Sequence, residues 1–247
     1  MNAVIFEPMV LQEASLAEGQ IDVWAFSLLG LPAAAMGLLN AEEQQRARRF
    51  HFERHTRQFM VARATMRWVL GHYLQEPPEG LYFKYNAQGK PYLRHPVSIQ
   101  FNLSHSGEQA LLAVGSQFPM GIDIEYYSER EYTGIAKQIF SQSEILALNQ
   151  EPQALKAQAF FDIWAQKEAF IKATGLGLSY PTEEFTVGLS SKVGPYQIIY
   201  DKKHDRYWKM TTFAADSTSA AALCCDLSIN RLRKITVNPQ QLIQGSY

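Results

Sequence analysis

Cysteine is scarce in this 247-residue chain: there are two, Cys224 and Cys225, and they are adjacent. Neighbours on a strand point to opposite faces, so the pair offers neither a disulfide framework nor a metal cluster. That usage fits a reducing compartment, and a cytoplasmic location is expected. Long apolar runs are also missing. No stretch approaches the ~20 residues that cross a bilayer, and the segment from Met1 to Phe6 lacks the basic and apolar regions of a secretion signal. No membrane partner is expected. Excess charge is absent as well: 23 Lys and Arg against 24 Asp and Glu leave a formal net charge of −1. A chain-wide polyanion binder needs a basic surplus, so no nucleic-acid partner is expected.

Charge is nonetheless unevenly placed. No lysine precedes Lys84, yet Arg46, Arg48, Arg49, Arg54, Arg57, Arg63 and Arg67 fall in one short stretch. The composition, 47% hydrophobic and 19% charged, is that of an ordinary globular protein, long enough for one large domain or two small ones. Residues 21–28 read as a strand, followed by helices near 41–50 and 55–74. Phe59, Ala62, Met66, Val69, Leu70 and Tyr73 recur at helical spacing in the second helix. Short strands follow at 81–85, 92–93, 99–103 and 110–115, with a turn at Asn86-Ala87-Gln88-Gly89. A second round begins at Gly121: a strand at 122–126, helices near 131–139, 142–149 and 153–174, then short strands from Phe185 to Val237. Pro152 sits where a first-turn proline belongs, and Gly175 where a helix stops. The division expected is a first half, 1–118, and a second, 119–247.

Three constellations can carry chemistry. In Gly121-Ile122-Asp123-Ile124-Glu125, period two puts both carboxylates on one strand face. Side by side they repel unless a cation or proton lies between them, and Mg²⁺ prefers one or two carboxylates plus substrate phosphate. The plainer alternative is an edge strand whose acidic side faces water. In the largely apolar helix around Phe161–Ala173, Trp164, Glu168 and Lys172 lie on one stripe at i, i+4, i+8. A surface Glu–Lys pair explains the last two, unless burial requires a metal or phosphate to offset desolvation. The third is Asn102-Leu103-Ser104-His105-Ser106-Gly107, a polar knot closing a strand. It reads as a phosphate clasp or as a turn capped by Asn102 and Ser104. The Ser-His pair lacks the nucleophile elbow of a hydrolase. Arg63, beside the apolar stripe, and Lys90, after a turn, are positioned to reach phosphate.

In order and spacing, the Asn-Leu-Ser-His-Ser, Gly-Ile-Asp-Ile-Glu and Trp164-x-x-Lys167-Glu168-Ala169-Phe170-Ile171-Lys172 blocks resemble the 4′-phosphopantetheinyl transferase superfamily. The arginine-rich front half is similar to its long single-chain surfactin-synthetase type. The resemblance runs from about Arg46 to Pro181. It implies an α+β fold of two similar α/β halves related by a pseudo-twofold axis, with the active site in the cleft between them, and a monomer. It implies transfer of the phosphopantetheine group of coenzyme A to a serine of an apo acyl, peptidyl or polyketide carrier protein, with release of 3′,5′-ADP.

Roles follow from the same resemblance. Asp123, Glu125 and Glu168 match the Mg²⁺-binding acids. Glu168 is the expected general base, with Asp123 and Lys172 as its catalytic partners and Lys172 stabilising the departing phosphate. Arg57, Arg63, Lys90, Ser104, His105 and Lys167 match coenzyme-binding positions. The segment from Tyr126 to Phe140 corresponds to the carrier-facing region. Two rivals remain: a non-catalytic homologue that binds coenzyme A or carrier proteins, and a Mg²⁺-dependent phosphohydrolase or nuclease. The complete acid set and Lys172 weigh against the first, and the lack of a broad basic surface against the second.

Overall fold

Strand β2 (Gln20–Ser27) is apolar on both faces. Ile21 and Val23 point one way and Trp24 and Phe26 relate to the other core, so the strand must be covered on both sides. The computed structural model describes residues 6–8, 15–30, 32, 34–128 and 132–240. In it, one side of β2 is covered by a helix and the other by a second sheet.

The helix is α3 (Glu53–Leu74), reached through the short α1 (Ala35–Leu38) and α2 (Ala41–Ala47). Its Val61, Ala62, Met66, Val69 and Leu70 pack on Trp24 and Phe26 and on Leu112 and Val114 of β6 (Gln109–Ser116). The sheet beneath is ordered β1-β11-β2-β6-β5, where β1 is Glu7–Pro8, β5 is Ile99–Ser106 and β11 is Arg231–Thr236. A small separate hairpin, β3 (Phe83–Tyr85) and β4 (Pro91–Leu93), stands beside it.

The second sheet is ordered β7-β10-β9-β8, from β7 (Gly121–Tyr126), β8 (Gln197–Asp201), β9 (Arg206–Phe213) and β10 (Ser219–Cys225). Its inner face, including Ile122, Ile124, Ala221 and Leu223, meets Ile21, Val23, Leu111 and Ala113 of the first sheet. Its outer face, including Ala220, Ala222 and Cys224, is covered by α6 (Lys156–Thr174), with α4 (Thr133–Ile139) and α5 (Gln142–Gln150) before it. The layers thus run helix, sheet, sheet, helix. Cys224 and Cys225 face different cores, as strand alternation requires, and both are free thiols.

Both halves use one pairing order. β2 and β7 each pair antiparallel with the last strand of their round, β6 and β10, which pair in turn with β5 and β9. The chain changes sheets between Ser116 and Gly121. It also crosses back: β11 lies parallel to β2, with Arg233 opposite Asp22. Asp22 is fully buried and accepts from Arg233 at 2.7 and 2.5 Å and from the Tyr73 hydroxyl at 2.5 Å, which fastens that returning strand. The polar knot of the sequence does close a strand, but as strand rather than as a capped turn: β5 runs through it to Ser106, and the turn begins at Gly107. Pro152 precedes a single 3₁₀ turn, 153–155, and α6 starts only at Lys156. Among the described residues, no helix is long and apolar enough to cross a membrane.

Candidate active site

The site begins at a glycine. A Cβ on Gly121 would lie 2.0 Å from the Ala169 carbonyl oxygen and 2.4 Å from the Ala173 nitrogen. Only glycine lets α6 settle this closely on the start of β7. That approach brings the Trp164-Glu168-Lys172 stripe over the strand face that carries Asp123 and Glu125. Lys172 Nζ sits 2.5 Å from Asp123 Oδ1 and donates to Ser104 Oγ at 3.0 Å. The Trp164 indole donates to Glu125 Oε1 at 2.9 Å.

The first half supplies the other wall. Asn102, Ser104 and Ser106 follow one another at period two along β5 and run beside β7. Asn102 Oδ1 accepts from the Ile122 amide at 2.8 Å, and Ser106 Oγ accepts from the Tyr126 amide at 3.1 Å. Ser104 donates to Asp123 Oδ1 at 2.8 Å and Ser106 to Glu125 Oε2 at 3.2 Å. Side chains thus satisfy backbone donors along the β7 edge and orient both acids. Strand alternation held the signal for this ladder, which a turn reading concealed.

The electrostatics are unbalanced. Asp123 is 3% exposed and its Oδ2 is buried without a hydrogen-bond partner. Burial pushes the Asp123 carboxyl up against the pull of Lys172. Glu168 is half-buried, and its pKa is pushed up to about 7, first by burial and then by Asp123 and Glu125, with Lys172 opposing. Asp123 and Glu168 therefore both draw on one lysine, and Glu125 adds like charge beside Glu168. An unpartnered buried carboxylate oxygen among mutually repelling acids is what a divalent cation would satisfy. As the side chains stand, no three His, Cys, Asp or Glu among the described residues converge as a metal-holding group. Beside Glu168 a pocket of about 330 Å³ opens, lined among others by Ile139, Trp164, Leu178, Tyr180 and Glu183.

The expected coenzyme-binding residues divide. Ser104 is at the seam but turned onto Asp123. His105 is exposed, and desolvation by its surroundings and the Lys172 ammonium lower its pKa, with Asp123 opposing. Arg57 is part-exposed, pairs with Glu108 at 2.6 Å and donates to the Leu28 carbonyl. Arg63 is 7% exposed, paired with Glu43 at 3.1 Å and bonded to the Tyr85 hydroxyl. Lys90 is drawn between two backbone carbonyls, those of Met120 at 2.8 Å and Lys172 at 2.6 Å. Its pKa is pushed down to about 8, first by burial and also by the Lys172 ammonium.

Lys167 is placed quite differently. It is 1% exposed, and its ammonium meets Glu144 at 2.8 Å and the carbonyls of Thr182 and Phe185 at 2.5 and 2.6 Å. An ammonium has three donors, and all three are committed to protein oxygens. The Lys167 expected at the coenzyme thus has its ammonium enclosed by protein oxygens, where it fastens α5 and the segment after α6 to the helix.

Residues 119–225 match the family model of the 4′-phosphopantetheinyl transferase superfamily, and residues 31–117 match that of the 4′-phosphopantetheinyl transferase N-terminal region. The 4′-phosphopantetheinyl transferase HetI of Nostoc sp. is 38% identical over 156 residues, 62% of this chain and 65% of that protein, just under two thirds of its length. The 4′-phosphopantetheinyl transferase psf-1 of Bacillus pumilus is 33% identical over 74% of this chain and 77% of its own. The 4′-phosphopantetheinyl transferase Sfp of Bacillus subtilis is 30% identical over 76% and 83%. Acids and lysine gathered at a seam between two sheets, and matches spanning both halves, lead to one assignment. The chain belongs to the 4′-phosphopantetheinyl transferase superfamily and is a transferase of that class.

Proposed function

We propose that this chain moves the 4′-phosphopantetheine group of coenzyme A onto a serine of an apo acyl, peptidyl or polyketide carrier protein, releasing 3′,5′-ADP, and that Mg²⁺ is required. Asp123, Glu125 and Glu168 would hold the metal, which would neutralise charge on the pyrophosphate. The observation that carries this reading is Asp123: buried, oriented by Ser104 and Lys172, and left with one oxygen unpaired.

The other roles follow from position. Glu168 lines a pocket and is placed to take the proton of an incoming serine hydroxyl, through a relaying water where a bound metal lowers its own basicity. Lys172 is 27% exposed on its side chain, so its ammonium can reach a leaving phosphate from one side while touching Asp123 from the other. His105 and Arg57, at or near the surface, are the best placed of the expected coenzyme contacts. Both walls of the site come from one chain, which supports action as a monomer and a pseudo-twofold relation of the halves with the site at their junction.

The test is product analysis: purified protein, coenzyme A and an apo carrier, with 3′,5′-ADP followed by chromatography. Release of ADP in step with carrier modification, stopped by a chelator and restored by Mg²⁺, is the expected result. ADP release without carrier modification would instead mark a hydrolase.

A further inference from the structure

Lys90 holds the two elements that build the acid–lysine pair. It rises from the β3–β4 hairpin of the first half, and its Nζ lies between the carbonyls of Met120 and Lys172. Met120 immediately precedes Gly121 at the start of β7, and Lys172 is in the last turn of α6. These are the elements whose side chains Asp123 and Lys172 meet.

The last carbonyls of a helix lack intrahelical donors and form the negative end of its dipole. In α6 the Gly175 amide returns to the Ile171 carbonyl, while the Leu176 amide goes to Thr174 Oγ1. The Lys172 carbonyl is thus left for a donor from elsewhere, and the Lys90 ammonium provides it with charge of the favourable sign. The same hairpin adds a second tie, since Asn86 Nδ2 donates to the Gly175 carbonyl at 2.9 Å. Asn86 Oδ1 accepts the Lys90 amide at 2.8 Å, which braces the turn that delivers both groups.

We infer that Lys90 is a positioning residue: it caps the C-terminal turn of α6 and locks that turn to β7, fixing the Lys172 ammonium against Asp123. This rests on the reaction proposed above. A direct coenzyme contact would require an ammonium free to meet phosphate, whereas two of the three Lys90 donors are held by backbone oxygens whose positions set the site.

Two readouts test it. Amide hydrogen exchange needs no activity: in Lys90→Met, residues 171–175 should exchange at least ten-fold faster than in the wild type, with the middle of α6 unchanged. In steady-state transfer, kcat should fall about ten-fold while the calorimetric Kd for coenzyme A stays within two-fold. Lys90→Met added to Lys172→Ala should lower kcat no further, because its effect acts through Lys172. Multiplicative losses in the double variant, unchanged exchange in the last turn, or a ten-fold weaker Kd with kcat preserved would each overturn the inference. If Lys90→Met does not fold, Lys90→Gln, which keeps a donor without the charge, carries the same measurements. Absence of transfer by the wild type would refute the proposed reaction instead, and the exchange result would still decide the cap.

Discussion

Lys167 and Lys172 stand five residues apart on one helix, each paired with a carboxylate, and the two pairs serve opposite ends. Lys167 and Glu144 are almost wholly buried, and the lysine spends its remaining donors on two carbonyls. Lys172 is 27% exposed, and its partner Asp123 keeps an oxygen without a partner. A closed ion pair holds elements together. An open one, with an orphaned acceptor and a third carboxylate pushed up to about 7 beside it, holds unfavourable electrostatics that a bound cation would relieve. The difference shows that exposure and leftover hydrogen-bonding capacity, rather than charge type, separate a fastening from a site.

The contrast can be broken in several places. Asp123→Ala should lower transfer by on the order of 10³-fold while leaving cooperative unfolding intact, as judged by single-turnover assay and thermal melt. Wild-type rates in that variant would remove the acid from the site. Lys167→Met should act the other way, costing about 3–5 kcal/mol of stability in denaturant titration, because the buried Glu144 charge keeps only the Ser141 and Val187 amides and the Thr182 and Phe185 carbonyls lose their donor. Adding Glu144→Leu should deepen that loss, because the buried amides of Ser141 and Val187 then lose their acceptor; a Lys167→Met variant that stays stable but binds coenzyme A poorly would return Lys167 to the ligand.

Lys172→Ala should reduce kcat on the order of 10²-fold with little change in coenzyme A affinity. An effect confined to KM would make it a binding group. The smallest effect concerns Asp162, whose buried carboxyl is pushed up to about 6 by desolvation, with the Ser190 amide opposing. Its folded pKa exceeds the unfolded value, so the folded state binds the extra proton. The resulting stability is full below about pH 4 and lost as pH rises through about 6, roughly 3 kcal/mol in all. Asp162→Asn should flatten that part of the stability profile measured by denaturant titration at successive pH values; an unchanged slope would assign it to other groups.

Much of the architecture could be read from local pattern. Helical spacing found α3 and α6, and period two placed Asp123 and Glu125 on one face and the cysteines on opposite faces. Long-range relations were harder to see. Nothing near Arg233 says that β11 returns to pair with β2 some two hundred residues earlier, because that partner is set by a buried carboxylate, Asp22, on another strand. The roles of Lys167 and Lys172 were equally opaque in an apolar helix: Glu144 decides the first, and β7 the second. Ser104 and Ser106 were legible as polar residues, but polarity alone favoured a turn. Pairing with β6 makes them strand residues, and only the neighbouring β7 gives their hydroxyls a task.

Intact-protein mass spectrometry decides whether the seam between the two sheets transfers phosphopantetheine. An apo carrier incubated with this protein, coenzyme A and Mg²⁺ should gain the mass of one phosphopantetheine group. The gain should vanish when the carrier serine is replaced by alanine, when the metal is chelated, or with Asp123→Ala. An unchanged mass across acyl, peptidyl and polyketide carriers, from folded protein that binds coenzyme A, would contradict the account and leave a binding protein in its place.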